Sequence, residues 1–318
     1  MLHPQARAAI ALWSQEPSVV GAGPEQIAER RRLAREAAAA EPKEPVGAVD
    51  DVDADGVRCR LYLPGAADGG RAGREPVVVF LHGGGFVFGE LETHDAQARR
   101  LANRTGMAVL SVDYRRPPEH PFPAAPDDVD TVVSWLRDAG PALGLDTGRA
   151  AVLGDSAGGN LALVAALRNP GTFTAAVLVY PFIDPSGRHY TAERDNGGLS
   201  AEECRWYWSQ YAAGAGDLAD PDLAPIESPR LGTLPPTLVQ VAEEDILHGE
   251  DLELVRRIEA AGGTVTRSTY PGMVHGFWRR PELFDAAEDA LADAAGFLAR
   301  TVSRAEGGPR TTPPPGRT

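Results

Sequence analysis

Five consecutive apolar residues, Val77 to Leu81, are the feature that most constrains the fold. An unbroken run of this length is typical of a strand whose two faces are both buried, as in a parallel sheet. Strand-like and helix-like segments then alternate, which predicts an α/β fold with a mostly parallel sheet, right-handed crossovers and helices on both faces. The predicted strands are 108–112, 150–153, 175–180, 237–241 and 264–270, and the predicted helices are 125–138, 157–168, 250–261 and 284–304.

The residues before this run predict a different arrangement. A helix is predicted over 24–40, where Pro24 suits the first helical position. Apolar and polar residues alternate over 57–63, and Asp55-Gly56 just before them is a typical hairpin turn, so antiparallel strands with one exposed face are expected at the sheet edge. The expected organisation is helices in 1–45, a main α/β domain over 46–305 with an insertion at 181–233, and a disordered tail at 306–318.

Composition argues against several classes of partner. The chain carries 31 basic and 45 acidic residues, and a net charge of −14 repels nucleic acid and anionic lipid surfaces. Its two cysteines, Cys59 and Cys204, match neither a disulfide framework nor a metal-ligand spacing. No apolar run approaches the ~18 residues that would cross a bilayer, and the short apolar stretch 8–13 lacks the features of a signal peptide. We expect a cytoplasmic protein that binds neither membrane nor nucleic acid; the oligomeric state, including a homodimer, stays open.

Gly154-Asp155-Ser156-Ala157-Gly158 fits the G-x-S-x-G pattern and lies between a predicted strand and a predicted helix. That context suits a nucleophilic serine on a sharp turn, where small neighbours let backbone approach backbone. The alternative is a glycine-rich turn with a serine that has no chemical role.

His82-Gly83-Gly84-Gly85 follows the first buried strand. Glycines there can turn backbone N–H groups toward a developing oxyanion, and the N–H of Ala157 adds a donor at a helix start. A phosphate-binding loop is the alternative, but neither G-x-G-x-x-G nor G-x-x-x-x-G-K-[ST] occurs at this position, so no nucleotide cofactor is expected.

A serine nucleophile needs a base, and the base needs an orienting acid. His275 follows predicted strand 264–270 and Asp245 follows predicted strand 237–241, which places both at the same sheet edge as Ser156. The chain order Ser, Asp, His is also the order that a parallel-sheet fold of this kind uses for such residues. Glu243 and Glu244 are rival acids.

Together these motifs, from about Val77 to Trp278, resemble the hormone-sensitive-lipase-like group of bacterial carboxylesterases, often called family IV. The matching segments are 82–86 (HGGGF), 113–115 (DYR), 118–124 (PEHPFPA), 154–159 (GDSAGG), 234–237 (LPPT), Asp245 with Leu247, and 275–277 (HGF). The resemblance implies the α/β-hydrolase fold, with 1–45 and 181–233 forming a cap over the acyl pocket. It assigns the triad to Ser156, Asp245 and His275 and the oxyanion hole to Gly84, Gly85 and Ala157, with His82 and Gly83 supporting the turn.

Two segments depart from the family pattern. Residues 245–249 read DILHG instead of D-P-L-R-D, which makes the start of the next helix uncertain. Arg116-Pro117 replaces the usual pair, so the loop beneath the site is expected to differ in shape.

The resulting hypothesis is a serine carboxylesterase that needs no metal or cofactor and acts on short- to medium-chain or small-molecule esters. An amidase, lactonase or deacetylase using the same residues, or a ligand binder or lyase on the same fold, remain alternatives. An interfacial triglyceride lipase is disfavoured, because the charged 24–40 helix is a poor apolar lid. An aromatic cluster in the insertion is expected either to pack in the core or to line the pocket; it comprises Trp206, Tyr207, Trp208 and Tyr211.

Overall fold

The alternating segments build one eight-stranded sheet in the computed structural model, which describes residues 1–65, 74–195 and 198–304. The strand order is β1-β2-β4-β3-β5-β6-β7-β8. The strands are β1 (Ala48–Ala54), β2 (Val57–Leu63), β3 (Glu75–Leu81), β4 (Ala108–Val112), β5 (Leu145–Asp155), β6 (Ala175–Val179), β7 (Thr237–Ala242) and β8 (Val265–Tyr270).

The sheet changes from antiparallel to parallel where the sequence predicts it. β1 pairs with β2 and β2 with β4 in antiparallel fashion, and every pairing from β4 to β8 is parallel. The turn between β1 and β2 contains only Asp55 and Gly56, both with positive φ (52° and 93°), as a two-residue type I′ hairpin requires. The antiparallel edge and the parallel core are therefore confirmed.

Helices cover both faces of the sheet. They are α1 (Pro4–Trp13), α2 (Pro24–Ala39), α3 (Asp95–Thr105), α4 (Ala124–Ala139), α5 (Ala157–Arg168), α6 (Ala201–Tyr211), α7 (His248–Ala260) and α8 (Ala286–Arg304). Alternate residues of β3 enter two separate cores: Val77 and Val79 pack with α4, α5 and α7, whereas Val78 and Phe80 pack with α1, α3 and α8. Burial on both faces explains why the β3 sequence is continuously apolar.

Several element boundaries differ from the sequence expectation. Helix α3 was not predicted, because its sequence is mostly polar and it buries Asp95, Gln97 and Arg100 along with its few apolar residues. Strand β5 begins at Leu145 rather than 150, since a register shift next to Pro76 lets a polar segment join the sheet. Helix α7 begins at His248, two residues earlier than predicted.

The insertion and the amino-terminal segment contact each other. Ile27 of α2 and Trp206 of α6 share a small apolar cluster with Val87, and Val19, Val20 and Tyr207 pack around it. This arrangement is compatible with a cap made of 1–45 and 181–233, and that domain division remains a prediction. The expected disordered tail, 306–318, lies outside the described residues.

Candidate active site

Ser156 occupies the turn between β5 and α5 in a backbone conformation that side chains rarely adopt (φ 54°, ψ −119°). Its amide donates to the carbonyl of Val179 in β6 at 2.9 Å. The turn leaves no space for side chains, because a Cβ at Gly158 would lie 1.9 Å from the Leu81 carbonyl oxygen. The serine is consequently fixed at the carboxyl end of the central strand, with a side chain that is 7% exposed.

Three side chains from separate loops form one hydrogen-bonded chain. His275 Nε2 lies 2.9 Å from Ser156 Oγ, and His275 Nδ1 lies 2.7 Å from Asp245 Oδ2. The other oxygen of Asp245 accepts the Leu247 amide at 3.0 Å, and the carboxylate is fully buried. The structure thus brings together the three residues that the sequence singled out, with the imidazole between hydroxyl and carboxylate.

The rival acids have other partners. Glu243 accepts a hydrogen bond from the Gly272 amide at 2.8 Å, and Glu244 pairs with the terminal amine of Met1. Their carboxylates therefore hold the loop before His275 and the start of the chain, while Asp245 is the acid that contacts the imidazole.

The glycine loop divides its amides between two tasks. Gly83 N–H donates to Asp155 Oδ1 at 2.9 Å, and a Cβ at Gly83 would lie 2.4 Å from the other oxygen of that carboxylate. By contrast, the amides of Gly84 and Gly85 donate no hydrogen bond to any part of the chain that the structure describes, and both residues line the cleft at Ser156. Ala157 opens α5, so its N–H has no partner within the helix. Gly83 serves the turn, whereas Gly84 and Gly85 border the cleft with unused amides; the oxyanion hole of Gly84, Gly85 and Ala157 stays a prediction.

His82 supports the loop from beneath. Its ring stacks on Tyr114 with centroids 4.3 Å apart, and the Tyr114 hydroxyl donates to the His82 carbonyl at 2.7 Å. Complete burial, and secondarily the charge of Arg116, lower the pKa of His82 to about 3. An imidazole with so low a pKa is a weak proton acceptor, so the environment of His82 does not suit a base for Ser156.

The cleft consists of two connected parts. The inner chamber, about 130 Å³, contains Ser156, His275, Gly84 and Gly85, and its remaining walls include Tyr180, Phe182, Leu199 and Tyr207. The vestibule, about 530 Å³, lies between the amino-terminal segment and the insertion; its lining includes Trp13, Pro17, Val19, Ser200 and Tyr207. An ester bond at Ser156 would therefore have a small compartment on one side and a larger one toward the protein surface.

The aromatic cluster divides between the two expected roles. Tyr207 lines both parts of the cleft, and its ring lies so close to Gly85 that a Cβ there would be 2.1 Å from it. Tyr211 instead stacks on Phe86, with ring centroids 3.7 Å apart, and Trp208 packs on Phe182, with ring centroids 4.3 Å apart. Trp206 belongs to the Ile27 cluster. One aromatic side chain shapes the pocket, and three support its walls.

Two further residues at the site were not singled out from the sequence. Tyr180 follows β6 with φ 36°, and its ring lies 4.6 Å from that of His275. Arg279, four residues after His275, lines both the inner chamber and the vestibule. Tyr180 could have been found as the last residue of a predicted strand, but nothing in the local pattern distinguishes Arg279 from Arg280.

Within the described residues there is no cluster of three or more His, Cys, Asp or Glu side chains arranged to hold an ion. In the same residues, none of the helices has both the length and the apolar character needed to span a bilayer.

Comparison with known proteins places this geometry in a family. Residues 78–279 match the family described as alpha/beta hydrolase fold. An ethyl acetate hydrolase from Pseudomonas putida is 36% identical over 239 residues, covering 73% of this chain and 74% of that protein. Carboxylesterase NlhH from Mycobacterium tuberculosis is 35% identical over 237 residues, covering 71% and 74%.

Solved structures of esterases have the same fold as this chain. A Pyrobaculum calidifontis esterase superposes with a TM-score of 0.83 at 33% identity, covering 95% of this chain and all of that one. The sequence motifs, the sheet and these relatives give one answer: the chain belongs to the alpha/beta hydrolase fold family and is a carboxylic ester hydrolase of the hormone-sensitive-lipase-like group.

Proposed function

We propose that this ester hydrolase forms a covalent acyl-enzyme on Ser156, with His275 as the base and Asp245 as the orienting acid. The observation that carries the proposal is the pair of hydrogen bonds at 2.9 Å and 2.7 Å that joins the three side chains. Both distances lie within the range over which a proton passes between heavy atoms.

In the first half of the reaction, His275 Nε2 takes the Ser156 proton as Oγ attacks the ester carbonyl carbon. The carbonyl π electrons move to oxygen, and the amides of Gly84, Gly85 and Ala157 donate to that oxyanion. When the tetrahedral intermediate collapses, the imidazolium returns its proton to the leaving alcohol oxygen.

In the second half, His275 takes a proton from water, and the hydroxyl oxygen attacks the acyl carbon. As the second tetrahedral intermediate collapses, the bond from the acyl carbon to Ser156 Oγ breaks, the imidazolium returns its proton to Oγ, and the carboxylic acid is released. Throughout, Asp245 accepts a hydrogen bond from His275 Nδ1–H, which keeps Nε2 free to act as base and stabilises the imidazolium. The Leu247 amide already holds the Asp245 carboxylate in place, so no free energy is needed to orient the carboxylate during the reaction.

The proposed substrates are short- to medium-chain or small-molecule esters. The inner chamber of about 130 Å³ has rigid aromatic walls in Phe182, Tyr180 and Tyr207, so it favours a compact group on that side of the ester bond. The relative named for ethyl acetate supports a small acyl group.

Amides, lactones and acetylated natural products would present the same carbonyl to Ser156 and remain alternative substrates. A ligand binder or a lyase would not need the connected proton path, so the distances favour turnover. We also propose a cytoplasmic location, which the two buried, unpaired thiols of Cys59 and Cys204 support. We further expect that the protein binds neither nucleic acid nor membrane, and that it acts as a monomer or as a homodimer.

A panel of p-nitrophenyl esters from acetate to laurate tests the proposal. Wild type should hydrolyse the short members best, and Ser156→Ala should lose turnover of all of them while its circular dichroism and melting temperature are retained. Equal activity in folded Ser156→Ala would contradict the assignment, and a preference for laurate would contradict the proposed size limit.

A further inference from the structure

Arg279 is a cation placed at the reaction site. It ends the short helical turn Phe277–Arg279, directly after the loop that carries His275. It is partly buried, and it lines the inner chamber together with Ser156, Gly84 and Gly85. It also lines the vestibule, so it stands where the two parts of the cleft meet.

Within the residues that the structure describes, the guanidinium of Arg279 makes no ion pair, hydrogen bond or aromatic contact. Its neighbours in the vestibule differ. Arg280 is exposed and pairs with Glu282, and Arg30 donates to the carbonyls of Pro17 and Ser18 at 3.0 and 2.6 Å. A partly buried cation that makes no ion pair is costly, and its five N–H donors remain unused.

Two acidic groups near Arg279, Asp155 and Glu203, have other hydrogen-bond partners. Burial raises the pKa of Asp155, and the positive charge of Arg279 opposes that rise. Burial lowers the pKa of His94 well below its usual value, and the charge of Arg279 lowers it further. Asp155 uses one oxygen for the Gly83 amide and makes no hydrogen bond to Arg279. In the vestibule, Glu203 is committed to Ser200, whose amide and hydroxyl both donate to it at 2.9 Å.

The vestibule is less acidic than the molecule as a whole. The whole chain carries −14, yet the vestibule lining contains three arginines (Arg30, Arg279 and Arg280) against two glutamates (Glu16 and Glu203). Clefts lined by positive charge favour anionic groups, and Arg279 is the arginine that reaches the inner chamber as well.

We propose that Arg279 binds a carboxylate of the substrate, so that this enzyme prefers esters bearing a carboxylate a few atoms from the scissile bond. The planar guanidinium matches a carboxylate in bidentate geometry, and in a partly desolvated cleft such a pair is stronger than neutral hydrogen bonds. The proposal rests on the ester hydrolase function proposed above and adds its substrate class. Because Arg279 borders both compartments, the carboxylate can belong to either the acyl or the alcohol part.

Matched pairs of substrates test this and distinguish the two sources. For the alcohol part, 4-acetoxybenzoate is compared with neutral 4-acetoxybenzamide. For the acyl part, monomethyl adipate is compared with the same methyl ester in which a neutral carboxamide replaces the free carboxylate. Product formation is followed by chromatography, and the measured quantity is the ratio of kcat/KM for the anion to kcat/KM for its amide. In at least one pair, wild type should favour the anion by about tenfold or more, the discrimination expected of a charged hydrogen bond.

Variants assign the preference to its residue. Arg279→Gln should lower that ratio about tenfold, mainly through KM, and Arg279→Lys should restore part of it. Arg137→Gln, which removes the same charge from an exposed site paired with Asp138, should leave the ratio unchanged.

The outcomes separate this proposal from the one on which it rests. A wild-type ratio near one in both pairs, or an equal loss on anion and amide in Arg279→Gln, would overturn the carboxylate site and leave the esterase function standing. If wild type hydrolysed none of the four esters, that result would instead count against the proposed function.

Discussion

Gly158→Ala is expected to disable the enzyme without unfolding it. The new Cβ would lie 1.9 Å from the Leu81 carbonyl oxygen and 2.6 Å from that of His82, whereas real Cβ atoms essentially never approach closer than 3.0 Å. Since both obstacles are backbone, the start of α5 must move about 1.1 Å away from the end of β3. These two segments carry Ser156 and the glycine loop, so nucleophile and oxyanion donors would separate by that amount.

A misplacement of about 1 Å is enough to cost about 100-fold in rate, and overpacking costs about 1–3 kcal/mol in the free energy of unfolding. We expect kcat on p-nitrophenyl acetate to fall by about that factor while urea denaturation shows a cooperative, moderately destabilised fold. Gly296→Ala is the matched control: it lies in α8, where the added Cβ meets only the flexible end of Arg300 at 3.3 Å. It should keep full activity and gain stability from helix propensity. Wild-type kcat and stability in Gly158→Ala would refute the reasoning.

Two other substitutions probe the acids. Asp245→Asn should retain the fold but lower kcat about 10³- to 10⁴-fold, because the amide no longer enforces the Nδ1–H tautomer of His275; a loss below tenfold in steady-state assays would be incompatible with its role. Asp251 is fully buried with neither carboxylate oxygen hydrogen-bonded to the described residues, and burial, followed by the charges of Asp245 and Glu250, raises its pKa well above the usual value. A raised pKa means that the folded state keeps a proton that the unfolded chain has lost, so this group costs stability as pH rises. Asp251→Asn removes that cost, and urea titrations at pH 5 and pH 7 should show its advantage over wild type growing by up to ~1.4 kcal/mol per pH unit; an advantage independent of pH would contradict it.

The parts of this fold that follow from local patterns were predictable. The run Val77 to Leu81 indicated a buried parallel strand because both of its faces enter a core. Asp55-Gly56 indicated the hairpin because the turn needs two positive φ angles. Helix α3 was missed because its buried face includes Asp95 and Arg100, which are buried only by virtue of partners elsewhere, such as Tyr62 and Glu288.

The candidate site likewise has residues that local patterns predict and features that only the tertiary structure determines. Ser156, Asp245 and His275 could be proposed because each follows a strand, and parallel strands end at one edge. Tertiary contacts separated Asp245 from Glu243 and Glu244, since only the fold determines which carboxylate reaches the imidazole. That the Arg279 guanidinium has no ion-pair partner among the described residues could not be predicted from the sequence, because it depends on which side chains the fold places around it.

The most direct test of the account is intact and peptide mass spectrometry after reaction with a fluorophosphonate. The connected Ser156–His275–Asp245 path predicts one phosphonyl group per chain, on the peptide containing Ser156, and none in His275→Ala within the same reaction time. A folded wild-type protein that stays unlabelled, or that carries the adduct on another residue, would contradict the claim that these three side chains activate the serine.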